Sequence, residues 1–177
     1  MMTKVVKALV EGDGIRTENA DLARELFTKG QFGALLDDGR VQLSPVETVY
    51  LAAKKRLQLV DARGKRVSLD SFILQVRRKD KNFWVRYAAF KDLRDRGYIV
   101  KTALKFGADF RVYDRGVKPG EDHARWIAFP VSEHATLTWR DFSSKNRVAH
   151  STKKSLLICV VDDEGDVSYW DARWLRP

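Results

Sequence analysis

Three side chains in the second half of the chain have the chemistry that metal-free cleavage of RNA requires: Tyr113 in FGADFRVYDRG, His123 in EDHARWIAFPV and Lys154 in RVAHSTKKSLLICVVD. They offer an ionisable hydroxyl, a ring that titrates near neutrality and a fixed cation. A 2′-hydroxyl attacking its own phosphodiester needs all three roles. One proton leaves the nucleophile, another reaches the departing 5′ oxygen, and the crowded anionic phosphorane needs a positive charge beside it.

Taken singly, each residue also has an ordinary reading. A tyrosine in an alternating strand packs its ring and points its hydroxyl outward. The neighbours Asp109, Arg111, Asp114 and Arg115 carry charges of both signs, so they leave the role of Tyr113 open. His123 follows Gly120-Glu121-Asp122, a loop-like start to a strand, and His134 and His150 compete with it on chemistry alone. Lys153 and Lys154 are adjacent, so in an extended chain they point to opposite faces and only one reaches a phosphate. Paired carboxylates holding magnesium are the rival chemistry. Asp109, Asp114, Glu121 and Asp122 are the acidic residues nearby, but their spacing has no metal-ligand signature.

The surrounding segments decide between these readings. LKFGADFRVYDRG, the His123 segment with its apolar run, RVAHSTKK before a continuous apolar strand, and GQFGALLDDGRVQLSPVETVYLA together resemble the archaeal tRNA-intron splicing endonuclease family. Their order and rough spacing agree from about Asp21 to the C-terminus. The resemblance implies an enzyme that cuts precursor tRNA at bulge-helix-bulge junctions and leaves a 2′,3′-cyclic phosphate and a 5′-hydroxyl. It implies Tyr113 as general base, His123 as general acid and Lys154 as stabiliser of the transition state, with the first two roles open to exchange. It also implies that Arg147 and Arg173 clasp an unpaired bulge base, and that neither metal nor cofactor takes part. A homotetramer is the expected assembly, and a heterotetramer with a catalytically silent relative remains the alternative. By the same resemblance the acidic turn Asp162 to Asp166 docks into a basic cleft of another subunit, and the strand Ser155 to Val161 helps form a dimer. A non-catalytic RNA-binding or assembly subunit is the third reading, against which the complete set of three residues argues.

Composition is compatible with this. The 177 residues are 44% apolar, with five Trp and nine Phe, enough for a packed core. Thirty-three Lys and Arg against 24 Asp and Glu give a formal charge of +9, which suits a polyanionic partner. The one cysteine, Cys159, excludes an internal disulfide and a cysteine-rich zinc site. No apolar run reaches the ~18 residues of a membrane span, and the start lacks the apolar core of a signal peptide, so the expected location is the cytoplasm.

The elements that must position these residues form two small α/β domains, 1–80 and 81–177, the second a nuclease-like catalytic domain with a mixed sheet. In the first, KVVKALV reads as an opening strand and Thr17 to Lys29 as a helix stopped at Gly30, with Leu22, Leu26 and Phe27 near one face. LLDDGRVQL holds two short strands around an Asp-Gly turn. Ser44-Pro45-Val46-Glu47 has the residues of a capping box with proline at the first helical position, and its helix should turn Val46, Val49, Tyr50 and Ala53 inward. A strand at Leu57 to Val60 follows, then a helix capped by Ser68 with Leu69, Phe72, Ile73 and Val76 as its stripe. The charged run Arg77 to Lys81 is either a solvated helix end or a connection between domains, and the resemblance favours the connection. The second domain should hold a helix from Trp84 to Arg96, strands in YIVKTALKF, DFRVY and ARWIAFPV, a helix from Trp139 to Ala149 capped by Thr138, and a last strand from Val167 to Trp170. Pro130 should end the ARWIAFPV strand or place it at an edge. Ser155 to Val161 is too evenly apolar for a half-exposed strand, so both its faces should be covered.

Overall fold

The computed structural model describes residues 5–12, 14–103 and 107–175. The chain divides into two compact units, Met1–Phe83 and Trp84–Pro177. Lys4 and residues 104–106, which the strand expectations include, lie outside the described residues.

The first unit is a mixed sheet with three helices. Strands β1 (Val6–Glu11), β2 (Gly14–Thr17), β3 (Ala34–Leu35), β4 (Val41–Leu43) and β5 (Leu57–Val60) lie in the order β3-β4-β2-β1-β5. Only β1 and β5 run parallel. β1 alternates as its sequence dictates: Val6 and Ala8 are buried and Lys7 is exposed. Helix α1 (Asp21–Thr28) begins later than its sequence suggests, because Thr17 belongs to β2. There its hydroxyl accepts the buried Val41 N–H at 2.9 Å, a bond that fixes Thr17 in the sheet.

Helix α2 (Pro45–Ala53) starts at the capping box foreseen in Ser44 and Glu47. Glu47 is 4% exposed, yet its carboxylate is fully engaged. One oxygen accepts from Ser44 N–H at 2.9 Å and Ser44 Oγ at 2.8 Å, the other from Gly33 N–H at 2.8 Å. Gly33 has φ +64, and a Cβ there would stand 2.3 Å from the Gln42 carbonyl oxygen, so no other residue fits. The inward face of α2 includes Val46, Val49 and Tyr50, but Ala53 is exposed and Leu51 is buried instead. Helix α3 (Leu69–Lys79) is capped by Ser68, whose hydroxyl accepts Ser71 N–H, and it extends through Arg77, Arg78 and Lys79, which suit its negative C-terminal end.

The second unit places one sheet between two helices. Strands β6 (Ile99–Thr102), β7 (Phe110–Tyr113), β8 (Trp126–Ser132), β9 (Ser155–Val161) and β10 (Val167–Ala172) lie in the order β10-β9-β8-β7-β6. Only β8 and β9 are parallel, and α5 (Trp139–Ser151) is the crossover between them. Register partners share a face, so the two faces are readable across the sheet. Ile127, Phe129, Leu156 and Ile158 meet Ala149, Phe142 and Val148 of α5. On the other face Phe110 packs against Phe90 of α4 (Phe83–Asp95), and Tyr169 donates to Asp92 of the same helix at 2.6 Å. Both faces of β9 are therefore covered, as its even apolarity requires.

Pro130 neither ends β8 nor makes it an edge strand. It pairs with Cys159 inside the parallel register, while pairing with β7 stops at Ala128. The missing N–H thus falls where β8 has a partner on one side only, which is the condition a strand proline needs. Likewise α5 runs two residues past Ala149, and β10 two past Trp170.

Candidate active site

Tyr113, His123 and Lys154 line one cavity of about 560 Å³ at one end of this second sheet. Each arrives by a different local device. Tyr113 is the last residue of β7, where alternation from the inward Phe110 turns it to the α5 face. The residue is 5% exposed, so its ring is gripped by the sheet while its edge lines the cavity.

His123 lies on the segment joining β7 to β8, which folds back on itself. Val117 N–H bonds the Asp114 carbonyl, Glu121 N–H bonds that of Lys118, and Arg125 pairs with Asp114 at 3.2 Å across the neck. Gly120 has φ +97, a left-handed turn position that costs a residue with a side chain dearly. The imidazole is exposed, and the backbone N–H of His123 donates to Asp122 Oδ1 at 2.6 Å.

Lys154 is delivered by the end of α5. Thr138 and Asp141 form a capping box at the start of that helix. At its end Lys153 takes φ 55, its N–H bonds the His150 carbonyl, and Lys154 N–H bonds that of Ala149. Lys154 lines the cavity and Lys153 does not, and the chain between them is a left-handed turn, not an extended strand. Lys154 Nζ donates to the Thr152 carbonyl at 2.7 Å. Partial burial, and after it the charge of Arg111, hold its ammonium below the ordinary lysine pKa of 10.5.

Arg111, Glu121, Asp122 and Thr152 share the cavity. In the sequence Arg111 is a basic neighbour of Tyr113, and the spacing of two residues along a strand places both on one face. Of the other carboxylates considered for a metal, Asp114 pairs with Arg125 and Asp109 with Arg86 at 2.9 Å. The group of metal-ligand type that converges among the described residues is Glu133, His134 and Asp163, beyond the far end of β8. His134 is thus remote from His123 and sits 3.2 Å from Asp163, which raises its pKa.

A basic surface continues from the cavity. An adjoining hollow of about 410 Å³ contains Lys154 together with Arg125, Lys153, Arg173 and Trp174. A further one, of about 330 Å³, contains Arg147, His150 and Trp174, and among the described residues no acidic one lines either. Arg147 and Arg173 therefore stand in neighbouring hollows joined by His150 and Trp174, whose rings meet edge to face at 4.2 Å. Arg173 also pairs with Asp171 at 3.0 Å. His150, in the last turn of α5, belongs to this surface, which its reading as a corner residue did not suggest.

A phenol, an imidazole and a desolvated ammonium around one cavity, with a cationic approach, are the parts of an acid-base nuclease. Comparison with known proteins agrees with that class. Residues 83–169 match the tRNA intron endonuclease catalytic C-terminal domain, and residues 6–73 match the tRNA intron endonuclease N-terminal domain. A tRNA-splicing endonuclease of Thermococcus onnurineus is 35% identical over 175 residues, 99% of both chains. That of Methanothermobacter thermautotrophicus is 40% identical over 94% of this chain and 96% of its own, and that of Nanoarchaeum equitans 42% identical over 81% and 94%. The chain belongs to the tRNA intron endonuclease family.

Proposed function

We propose that the protein cuts precursor tRNA at the exon-intron junctions of bulge-helix-bulge structures, by 2′-hydroxyl attack and without a metal, giving 2′,3′-cyclic phosphate and 5′-hydroxyl ends. The observation that carries this reading is the convergence of Tyr113, His123 and Lys154 on one cavity. Tyr113 takes the proton of the 2′-hydroxyl, exposed His123 protonates the departing 5′ oxygen, and Lys154 offsets the charge on the phosphorane. The catalytic domain is taken as 81–177 and the N-terminal domain as 1–80, a division close to that of the two compact units. Arg147 and Arg173 hold the unpaired bulge base, and the working form is a cytoplasmic homotetramer. The formal charge of +9 favours the polyanionic substrate.

Purified protein incubated with a bulge-helix-bulge RNA in EDTA tests the reading directly. Scission at both junctions with cyclic phosphate ends is expected. Strict magnesium dependence of the chemical step would overturn the metal-free mechanism and direct attention to Glu121 and Asp122 in the same cavity.

A further inference from the structure

The cavity that holds Tyr113, His123 and Lys154 contains a fourth group suited to the reaction. Arg111 lies two residues before Tyr113 on β7, so both side chains leave the same face of the sheet. Its register partner is Ile127, whose partner in turn is Leu156. Lys154, two residues before Leu156, lines the same hollow. Arg111 is half-buried, and its charge is close enough to disfavour the Lys154 ammonium. Two cations facing one hollow repel each other, and an anion between them relieves the repulsion.

We propose that Arg111 is a further catalytic residue, its guanidinium donating to the two non-bridging oxygens of the scissile phosphate beside Lys154. The proposal rests on the site being an RNA cleavage centre, and the reaction gives it a reason. The O2′–P bond forms as O2′ loses its proton, the P–O5′ bond breaks as O5′ gains one, and the charge that builds falls on two oxygens. Lysine is a point charge, and Lys154 already commits one N–H to the Thr152 carbonyl. A planar guanidinium fork spans both oxygens.

The test compares the parent protein with Arg111→Ala and Arg111→Lys. Single-turnover cleavage of bulged RNA is read beside binding of the same RNA carrying a 2′-deoxy group at the cut site. Cleavage should slow by about 10²- to 10³-fold in Arg111→Ala. Affinity for the 2′-deoxy RNA should change far less, and free guanidinium should restore part of the rate where sodium does not. Arg111→Lys, which keeps the charge, should fold if the alanine variant fails to, and should still be slowed at least about tenfold because it loses the fork. A folded variant that cleaves at the parent rate overturns the proposal, as does a loss confined to binding. A parent protein that binds the RNA without cutting it overturns the functional reading, and this proposal with it.

Discussion

Tyr113, the last residue of β7, and Lys154, the residue before β9, face one cavity although those strands are not neighbours, because β8 lies between them and is in register with both. Neither residue can reach the other's strand, so the cavity exists only when the whole sheet is assembled. Tyr113→Phe, His123→Ala and Lys154→Ala should therefore leave fold and RNA binding intact while slowing cleavage by about 10²- to 10⁴-fold. Single-turnover assays at saturating enzyme measure this. A near-normal rate in any one variant removes that residue from the mechanism.

Lys154 should betray its setting in the pH dependence. Burial and Arg111 lower its pKa from 10.5, and the protonated form is the one that offsets phosphorane charge. Activity should accordingly fall on the alkaline side at a pH below that of an ordinary lysine. The folded protein also binds this proton less tightly than the unfolded chain. Stability should rise with pH between the lowered value and 10.5, a rise that Lys154→Met abolishes. Urea midpoints across that window report it.

The Tyr169 hydroxyl donates to Asp92 Oδ2 and so ties β10 to α4, and burial foremost pushes the phenol pKa up. Asp92 keeps its bond with Arg96 at 2.7 Å when the hydroxyl is removed. Tyr169→Phe should cost about 1 to 2 kcal/mol in urea denaturation, near the lower end for hydrogen bonds to charged groups. An unchanged midpoint would show that solvent replaces the bond without loss.

Local signals were legible in the sequence wherever one side chain settles one backbone feature. Ser44 with Glu47 announces α2, and Thr138 announces α5, where Asp141 completes the capping box. Features fixed by strand pairing were not legible. Thr17 reads as helix until its bond to Val41 is known, and Pro130 reads as a strand end until pairing with β7 is seen to stop at Ala128. The site divides the same way. Family resemblance picked out Tyr113, His123 and Lys154, but only the sheet register brings Arg111 to them, and only the end of β10 brings Trp174 to His150.

Assembly can be probed through the acidic turn. β9 pairs with β8 on one side and β10 on the other, so it offers no free edge to a second subunit, and the turn Asp162 to Asp166 becomes the segment to test. Asp163 is held by His134 and by Glu133, which accepts its N–H at 3.1 Å. Neutralising Asp162, Asp163, Glu164 and Asp166 together should move tetramers toward dimers. The effect should be larger at high salt, where the remaining exposed ion pairs are screened. Light scattering that shows the same tetramer at every salt concentration would count against docking of this turn.

Recognition of the bulge should separate arginine from mere charge. Arg147 and Arg173 are exposed and stand in adjoining basic hollows that share His150 and Trp174. A guanidinium can stack on a base while its edge donates to phosphate, a combination an ammonium lacks, and loss of stacking is worth roughly 1 to 3 kcal/mol per base. Arg147→Lys and Arg173→Lys should thus weaken binding of bulged RNA by about that amount and leave fully paired RNA of equal length nearly unaffected. Arg173 should show the smaller change, since its bond to Asp171 has to be given up before it can stack. Anisotropy titrations of each variant on both RNAs decide the matter. Equal weakening on the two substrates would reduce the pair to general phosphate contacts, whose salt dependence would persist without any preference for the bulge.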